Sequence, residues 1–153
     1  MNYKKILNMV IDDFVGAKVK NKPSTISTGK YEDKLVVIDK GFRLFILPPH
    51  LYPFDTSKLV NSNVIDVTPI VGKLDDYVDA KLTGELCTAK VGKVAKIANL
   101  DAEAWVNEKY LPEYGKDVSF KLNKEKSHIR PILVFKKEEL VGVVMPVNMK
   151  KEL

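Results

Sequence analysis

The side chains able to do chemistry are one thiol, two imidazoles and two pairs of adjacent carboxylates. Cys87 is the only cysteine, so the sequence holds no intrachain disulfide, and a lone cysteine of this kind ordinarily packs as a small hydrophobe. His50 and His128 do not combine with it at any spacing that suits a zinc site. Asp12-Asp13 and Asp75-Asp76 are neighbours in sequence; on a helix such neighbours point apart, which makes them poor acid–base dyads. Glycine precedes lysine at Gly29-Lys30, Gly72-Lys73, Gly92-Lys93 and Gly115-Lys116. None of these pairs belongs to a complete phosphate-binding loop. The expectation is a protein without catalytic residue, metal or cofactor, working by binding.

The lysines offer a different chemistry. The formal net charge is +5 over 153 residues. Between Lys116 and Lys137 seven Lys/Arg side chains face only Asp117 and Glu125. A clustered excess of this kind attracts phosphates without reading sequence. The plainer alternative is a solvated surface that keeps the protein soluble.

The elements that must position these groups follow from apolar spacing. Ile6, Leu7, Val10, Ile11 and Phe14 recur at helical intervals, with Lys4, Lys5, Asn8 and Asp12 turned away. This predicts a helix over 3–14 that Gly16 ends. "KLVVID" and "FRLFIL" flank "DKG", a hairpin whose Gly41 is expected to supply a positive φ. Residues 49–69 show no period and read as loop. Ile70, Val71, Leu74, Tyr77 and Val78 suggest a second helical stripe, and Val91-Gly92 a hairpin turn. "VNEKYLPEYG" is a helical turn limited by Pro112, which lacks a backbone donor. "DVSFKL", "PILVF" and "ELVGVVMPV" read as strands.

With 45% hydrophobic and 29% charged residues, the chain has material for one ordinary core. Its apolar runs are too short to span a bilayer, and "MNYKKILNMVIDDF" lacks the small-residue cleavage site of a secretory leader. A cytoplasmic protein with no membrane association is expected. The order of elements repeats: helix then three strands, later a short helix then three strands. That order predicts an α+β fold as a single domain over 1–153, two helix-plus-antiparallel-meander units forming two small sheets with both helices on one face.

On these residues the chain resembles one domain of the bacterial sliding clamp, the beta subunit of DNA polymerase III. Pro23, Asp39, Gly41, Phe42, Arg43 and Leu44 are similar to a Pro strand, an Asp-ended strand and the Gly-x-Arg-Leu turn of that family. Asn107, Lys109, Tyr110 and Leu111 resemble the Asn-x-Lys-Tyr-Leu that opens a clamp domain's second helix. Pro131 and Val144, Met145, Pro146, Val147 resemble its closing strand pair. The likeness spans nearly the whole chain apart from a divergent segment at about 49–90. It departs in three places: clamps carry three such domains per chain, Pro112 shortens the second helix, and Asn148 stands where an Arg is usual.

The resemblance implies a replication-associated processivity-factor-like protein of the kind phage could carry. Duplex DNA would be held nonspecifically through Lys4, Lys5, Lys109 and Lys116. A linear motif of a replication protein would dock in an apolar groove lined by Arg43, Leu44, Val144, Met145, Pro146 and Val147. The plainer readings are surface lysines and core residues. Clamp domains join edge strands, so a single domain is expected either to form a homo-oligomer or to guard its edges with Lys121, Lys136 and Lys137. The alternative function is a regulatory or structural protein-interaction module that keeps the clamp fold without DNA binding.

Overall fold

The computed structural model describes residues 1–40, 42–51 and 65–152. It is α+β, with a ten-stranded mixed sheet and three helices. Helix α1 (Tyr3–Lys20) leads into β1 (Ile26–Tyr31), β2 (Lys34–Asp39) and β3 (Arg43–Leu47). Then come β4 (Ile65–Asp66), α2 (Thr68–Val71), β5 (Tyr77–Ala89), β6 (Gly92–Ala98) and β7 (Glu103–Asn107). Two 3-10 turns over 108–110 and 112–114 precede β8 (Ser119–Asn123), β9 (Ile132–Lys136), β10 (Glu139–Val144) and α3 (Met149–Glu152).

The strand order is β4-β1-β2-β3-β10-β9-β8-β5-β6-β7. The two meanders, β1–β2–β3 and β8–β9–β10, meet through the antiparallel pair β3–β10, where Leu44 faces Val143. They make one continuous sheet rather than the two expected, because β3 and β10 are apolar on both faces and each needs a partner on either side. β1–β4 is parallel and the other pairs are antiparallel. β5 is long enough to serve twice: Tyr77–Ala80 pairs with β8, and from Lys81 it pairs with β6, with a register shift between Leu82 and Leu86. Gly84, at φ +86, sits in that shift, where the left-handed backbone favours glycine.

Alternation along the strands divides the core. Phe45, Leu47, Ile132 and Val134 share one cluster with Ile6, Val10 and Tyr114; Leu44, Ile46, Leu133 and Phe135 share the other with Val67 and Val71. The first side also receives Ala95, Ile97, Ala104 and Val106 from β6 and β7. Both α1 and the 108–114 turns lie on that side, tied by the Asn2 N–H donating to Glu113 O at 2.7 Å. The opposite face is no bare sheet, since Val67 and Val71 pack over it.

Other expectations need correction. Helix α1 does not end at Gly16; it runs to Lys20, where Asn21 takes the left-handed conformation and its N–H caps Ala17 O. An interior glycine costs a helix only about 1 kcal/mol, and Asn21 gives a better stop. The stripe over 70–78 is not one helix: Gly72 at φ +72 ends α2 after one turn, and Tyr77 and Val78 open β5. In the 39–43 hairpin Lys40 carries a positive φ of 52; Gly41 lies outside the described residues, as does 52–64 of the expected loop. The expected short helix at Pro112 is a pair of 3-10 turns.

Lys121, Lys136 and Lys137 guard no edge. Lys121 lies within β8, paired on both sides, and Lys136 faces Glu139 across the β9–β10 turn. The edges are β4, only two residues long, and β7. On β7 two outward carbonyls are occupied: Ser127 Oγ donates to Glu103 O at 2.6 Å and Val147 N to Trp105 O at 2.7 Å. The edge is thus covered by the chain itself, a recognised way of blunting one.

Candidate functional site

Where α1 meets the 108–114 turns, four charged side chains come together. Arg43, at the start of β3, is buried. Its Nε donates to Asp39 Oδ2 at 2.6 Å and its Nη1 to Glu113 Oε2 at 2.8 Å. Glu113, also buried, holds Lys5 Nζ at 3.0 Å through its other oxygen. The guanidinium carbon lies 5.2 Å from the ring centroids of both Phe45 and Tyr110, a stacked arrangement that suits arginine rather than lysine.

Burial alone would push Arg43 towards losing its proton and Glu113 towards keeping one. The reverse holds. Desolvation lowers Arg43, but the hydrogen bond it donates to Asp39 and the charges of Glu113 and Asp39 raise it above its ordinary value. Glu113 is desolvated too, yet the Lys5 hydrogen bond and the Arg43 charge hold it below the usual carboxylate range. Each charge is therefore compensated inside the cluster. Next to it Tyr114 Oη lies 2.8 Å from both Leu44 O and Val143 O, so its proton serves the two carbonyls at the β3–β10 seam.

The sequence-predicted residues divide accordingly. Arg43, Leu44 and Val144 are buried, so they hold the core and cannot line an open peptide groove. Met145, Pro146 and Val147 continue β10 and are half-buried. Met145 N donates to Phe42 O at 2.7 Å, and Phe42, half exposed, stacks on Tyr110 at 6.1 Å between centroids.

Lys4, Lys109 and Lys116 are exposed and make no ion pair among the described residues. Lys109 Nζ lies 5.3 Å from the Tyr110 ring centroid. Lys5 keeps more than half its side chain exposed while bound to Glu113. All four border the junction of α1 with the 108–116 segment. The first turn of α1 contains no acid, and its Asn2 cap accepts from Lys5 N at 3.1 Å. Helix N-termini carry partial positive charge and ordinarily attract acids; Glu113 supplies one there and neutralises Lys5, which leaves Lys4 without an ion pair among the described residues. Of the two carboxylates that neutralise Arg43, Glu113 is not singled out in the sequence and Asp39 enters only as the end of the Asp-ended strand. Only the short Asp39-to-Arg43 spacing across the hairpin signals that pair.

No protein-family model, curated protein or solved structure matches this chain. Among the described residues no group of three or more His, Cys, Asp or Glu side chains is placed to hold a metal ion. No helix among them is long and apolar enough to cross a membrane.

Proposed function

We propose that the chain is a non-catalytic binding protein with the organisation of one sliding-clamp domain, contacting the phosphate backbone of duplex DNA. The face it uses is the one shared by α1 and the 108–116 segment. The twice-used order of helical segment and three-stranded meander, joined at β3–β10, supports the clamp-like reading. The observation that carries the DNA contact is Lys4, in a first helical turn without acids of its own and, like Lys109 and Lys116, without an ion pair among the described residues. That arrangement is unfavourable on its own and becomes favourable when an anion arrives. Lys109 and Lys116 extend the same positive patch, in a form suited to positioning rather than reading bases.

The test is fluorescence anisotropy of a labelled duplex across a salt series. Each lysine lost should lower the slope of log K against log salt by about 1. The triple variant Lys4→Glu, Lys109→Glu, Lys116→Glu should abolish measurable binding at 150 mM salt, about the physiological ionic strength. Affinity unchanged in that variant would overturn the proposal.

One observation favours a second reading, the protein-interaction module without DNA contact. Helix α1 presents Ile11, Val15 and Val19, the last 78% exposed, apolar surface that a phosphate backbone does not use. Under this reading duplex affinity is absent. A synthetic replication-type linear motif then binds with a Kd that is insensitive to salt and weakened by Val15→Asp.

A further inference from the structure

Far from that patch, at the opposite end of β7 and β8, the 123–130 turn and the C-terminal tail enclose a cleft against β7. Its walls include Ala104, Trp105, Ser127, His128, Val147 and Met149, and its volume is about 330 Å³. That is the lower end of the range for ligand pockets, room for one planar ring system and not for a large cofactor.

Alternation explains why Trp105 is there. Ala104 and Val106 point into the core, so Trp105 between them must face outward on the other side of β7. It remains partly exposed, and Lys96 Nζ lies 5.8 Å from its ring centroid. Glu103, which also lines the cleft, is already ion-paired to Lys96 at 3.0 Å.

The turn that forms the opposite wall is fixed before any ligand arrives. Asn123 Oδ1 accepts from Glu125 N at 3.2 Å and Lys126 N at 2.9 Å. Arg130 N donates to Lys126 O at 2.8 Å, and Ser127 Oγ ties the turn to β7. The same turn carries Lys124, Lys126 and Arg130 around a second, polar groove, where they outnumber the two carboxylates, Asp76 and Glu125. Lys124 is occupied by Asp75 O at 2.7 Å. Lys126 and Arg130, with Lys150 at the cleft itself, make no ion pair among the described residues.

We propose that this cleft is a single-stranded nucleic-acid site. One base stacks on Trp105, with His128 beside it, while the backbone passes over Lys126 and Arg130. A cationic track beside an aromatic platform is what sequence-tolerant single-strand binders use. A base held in duplex cannot reach an indole inside a cleft. The site is separate from the α1 patch and does not depend on the duplex reading.

Trp105 is the only tryptophan in the chain, so its emission reports the cleft directly. Titrating the full chain with an oligothymidylate of about ten nucleotides, within the usual single-strand site sizes, should quench that emission to saturation. The surface variant Lys126→Glu, Arg130→Glu should raise the Kd at least about tenfold while its circular dichroism and urea midpoint match wild type. Trp105→Ala, followed by anisotropy of the labelled oligonucleotide, should weaken binding about 5- to 150-fold. Lys4→Glu, Lys109→Glu, Lys116→Glu should leave the quenching intact, which separates this site from the α1 patch. Absence of quenching overturns the proposal, as does quenching unaffected by Lys126→Glu, Arg130→Glu. Tighter quenching by an acidic aromatic peptide than by the oligonucleotide would assign the cleft to a protein partner and overturn it too.

Discussion

Arg43 and Glu113 are seventy residues apart in sequence and 2.8 Å apart in the fold, both buried. The contact joins the β2–β3 hairpin to the turn that precedes β8, and through Lys5 it also anchors α1. Removing one member leaves the other with a single remaining partner, Asp39 for Arg43 or Lys5 for Glu113, so the cost falls below the about 3–5 kcal/mol of a wholly unpaired buried charge. Arg43→Met and Glu113→Gln should each lower the unfolding free energy from urea denaturation by about 1–3 kcal/mol. The double variant should lose much less than the sum, as expected for coupled groups. Additive losses in the cycle would show that the two do not act as a pair.

The same cluster sets a pH dependence. Glu113 has a folded pKa below its unfolded value, so the unfolded chain binds more protons in the acid range and stability falls as pH drops. The contribution is complete above the unfolded carboxylate value of about 4.3 and is lost on acidification towards the depressed folded value. Urea denaturation of wild type between pH 6 and pH 3, set against Glu113→Gln, should show the acid limb flattened in the variant.

Asp13 makes a second acid-sensitive clasp, between α1 and β1. Its carboxylate accepts from the Ser24 hydroxyl, from Thr25 Oγ1 at 2.6 Å and from the N–H groups of Thr25 and Ile26 at 3.0 and 3.2 Å. Burial works against the charge, but these hydrogen bonds outweigh it and bring the pKa from 3.8 to about 2. The clasp is therefore whole above about pH 4 and fails as pH falls towards 2. Asp13→Asn should cost about 1 kcal/mol at pH 7, a figure held down by solvent screening. Hydrogen exchange of the Thr25 and Ile26 amides should rise with it; unchanged exchange would mean the clasp does not hold β1.

What the sequence disclosed follows from the range of each signal. The strand over 119–123 rests on strict local alternation, while the hairpin at 34–47 and the strands over 132–144 rest on short apolar runs beside turn signals, and all stand where those local signals put them. Helix α1 was read too short because Gly16 is a local stop signal, while the true stop at Asn21 depends on one residue's backbone conformation. Tyr77 was taken for a helical residue because Ile70, Val71 and Leu74 share its stripe; its strand pairing with Asn123 is long-range and leaves no mark nearby. Lys4, Lys109 and Lys116, expected as DNA contacts, lie exposed. Arg43, Leu44 and Val144 were read as groove lining, and only the fold reveals that β3 and β10 are buried on both faces.

Gly142 is a packing requirement at the β3–β10 seam. A Cβ there would strike the Tyr114 ring and Leu44 O, atoms held together by the Tyr114 hydroxyl. Neither can retreat, since the ring is fully buried and the carbonyl is backbone. Gly142→Ala should cost about 2–3 kcal/mol by overpacking. Tyr114→Phe keeps the ring and loses only the shared proton, about 1–2 kcal/mol. If thermal denaturation ranked the two the other way, the hydroxyl rather than the close approach would govern the seam.

The covering of β7 makes a last prediction, about assembly. Val147 N is the donor that occupies Trp105 O, and proline at 147 would remove that donor without adding bulk to the core. Trp105 O would then be open on the sheet's edge, and an uncovered edge pairs readily with another chain. Val147→Pro should shift the protein towards higher mass in light scattering at rising concentration, with little change in circular dichroism. Val147→Ala, which keeps the N–H, should behave as wild type. If Val147→Pro runs with the same mass as wild type at every concentration, the tail is not what guards the edge; if wild type already associates as strongly, β7 is an interface despite its cover.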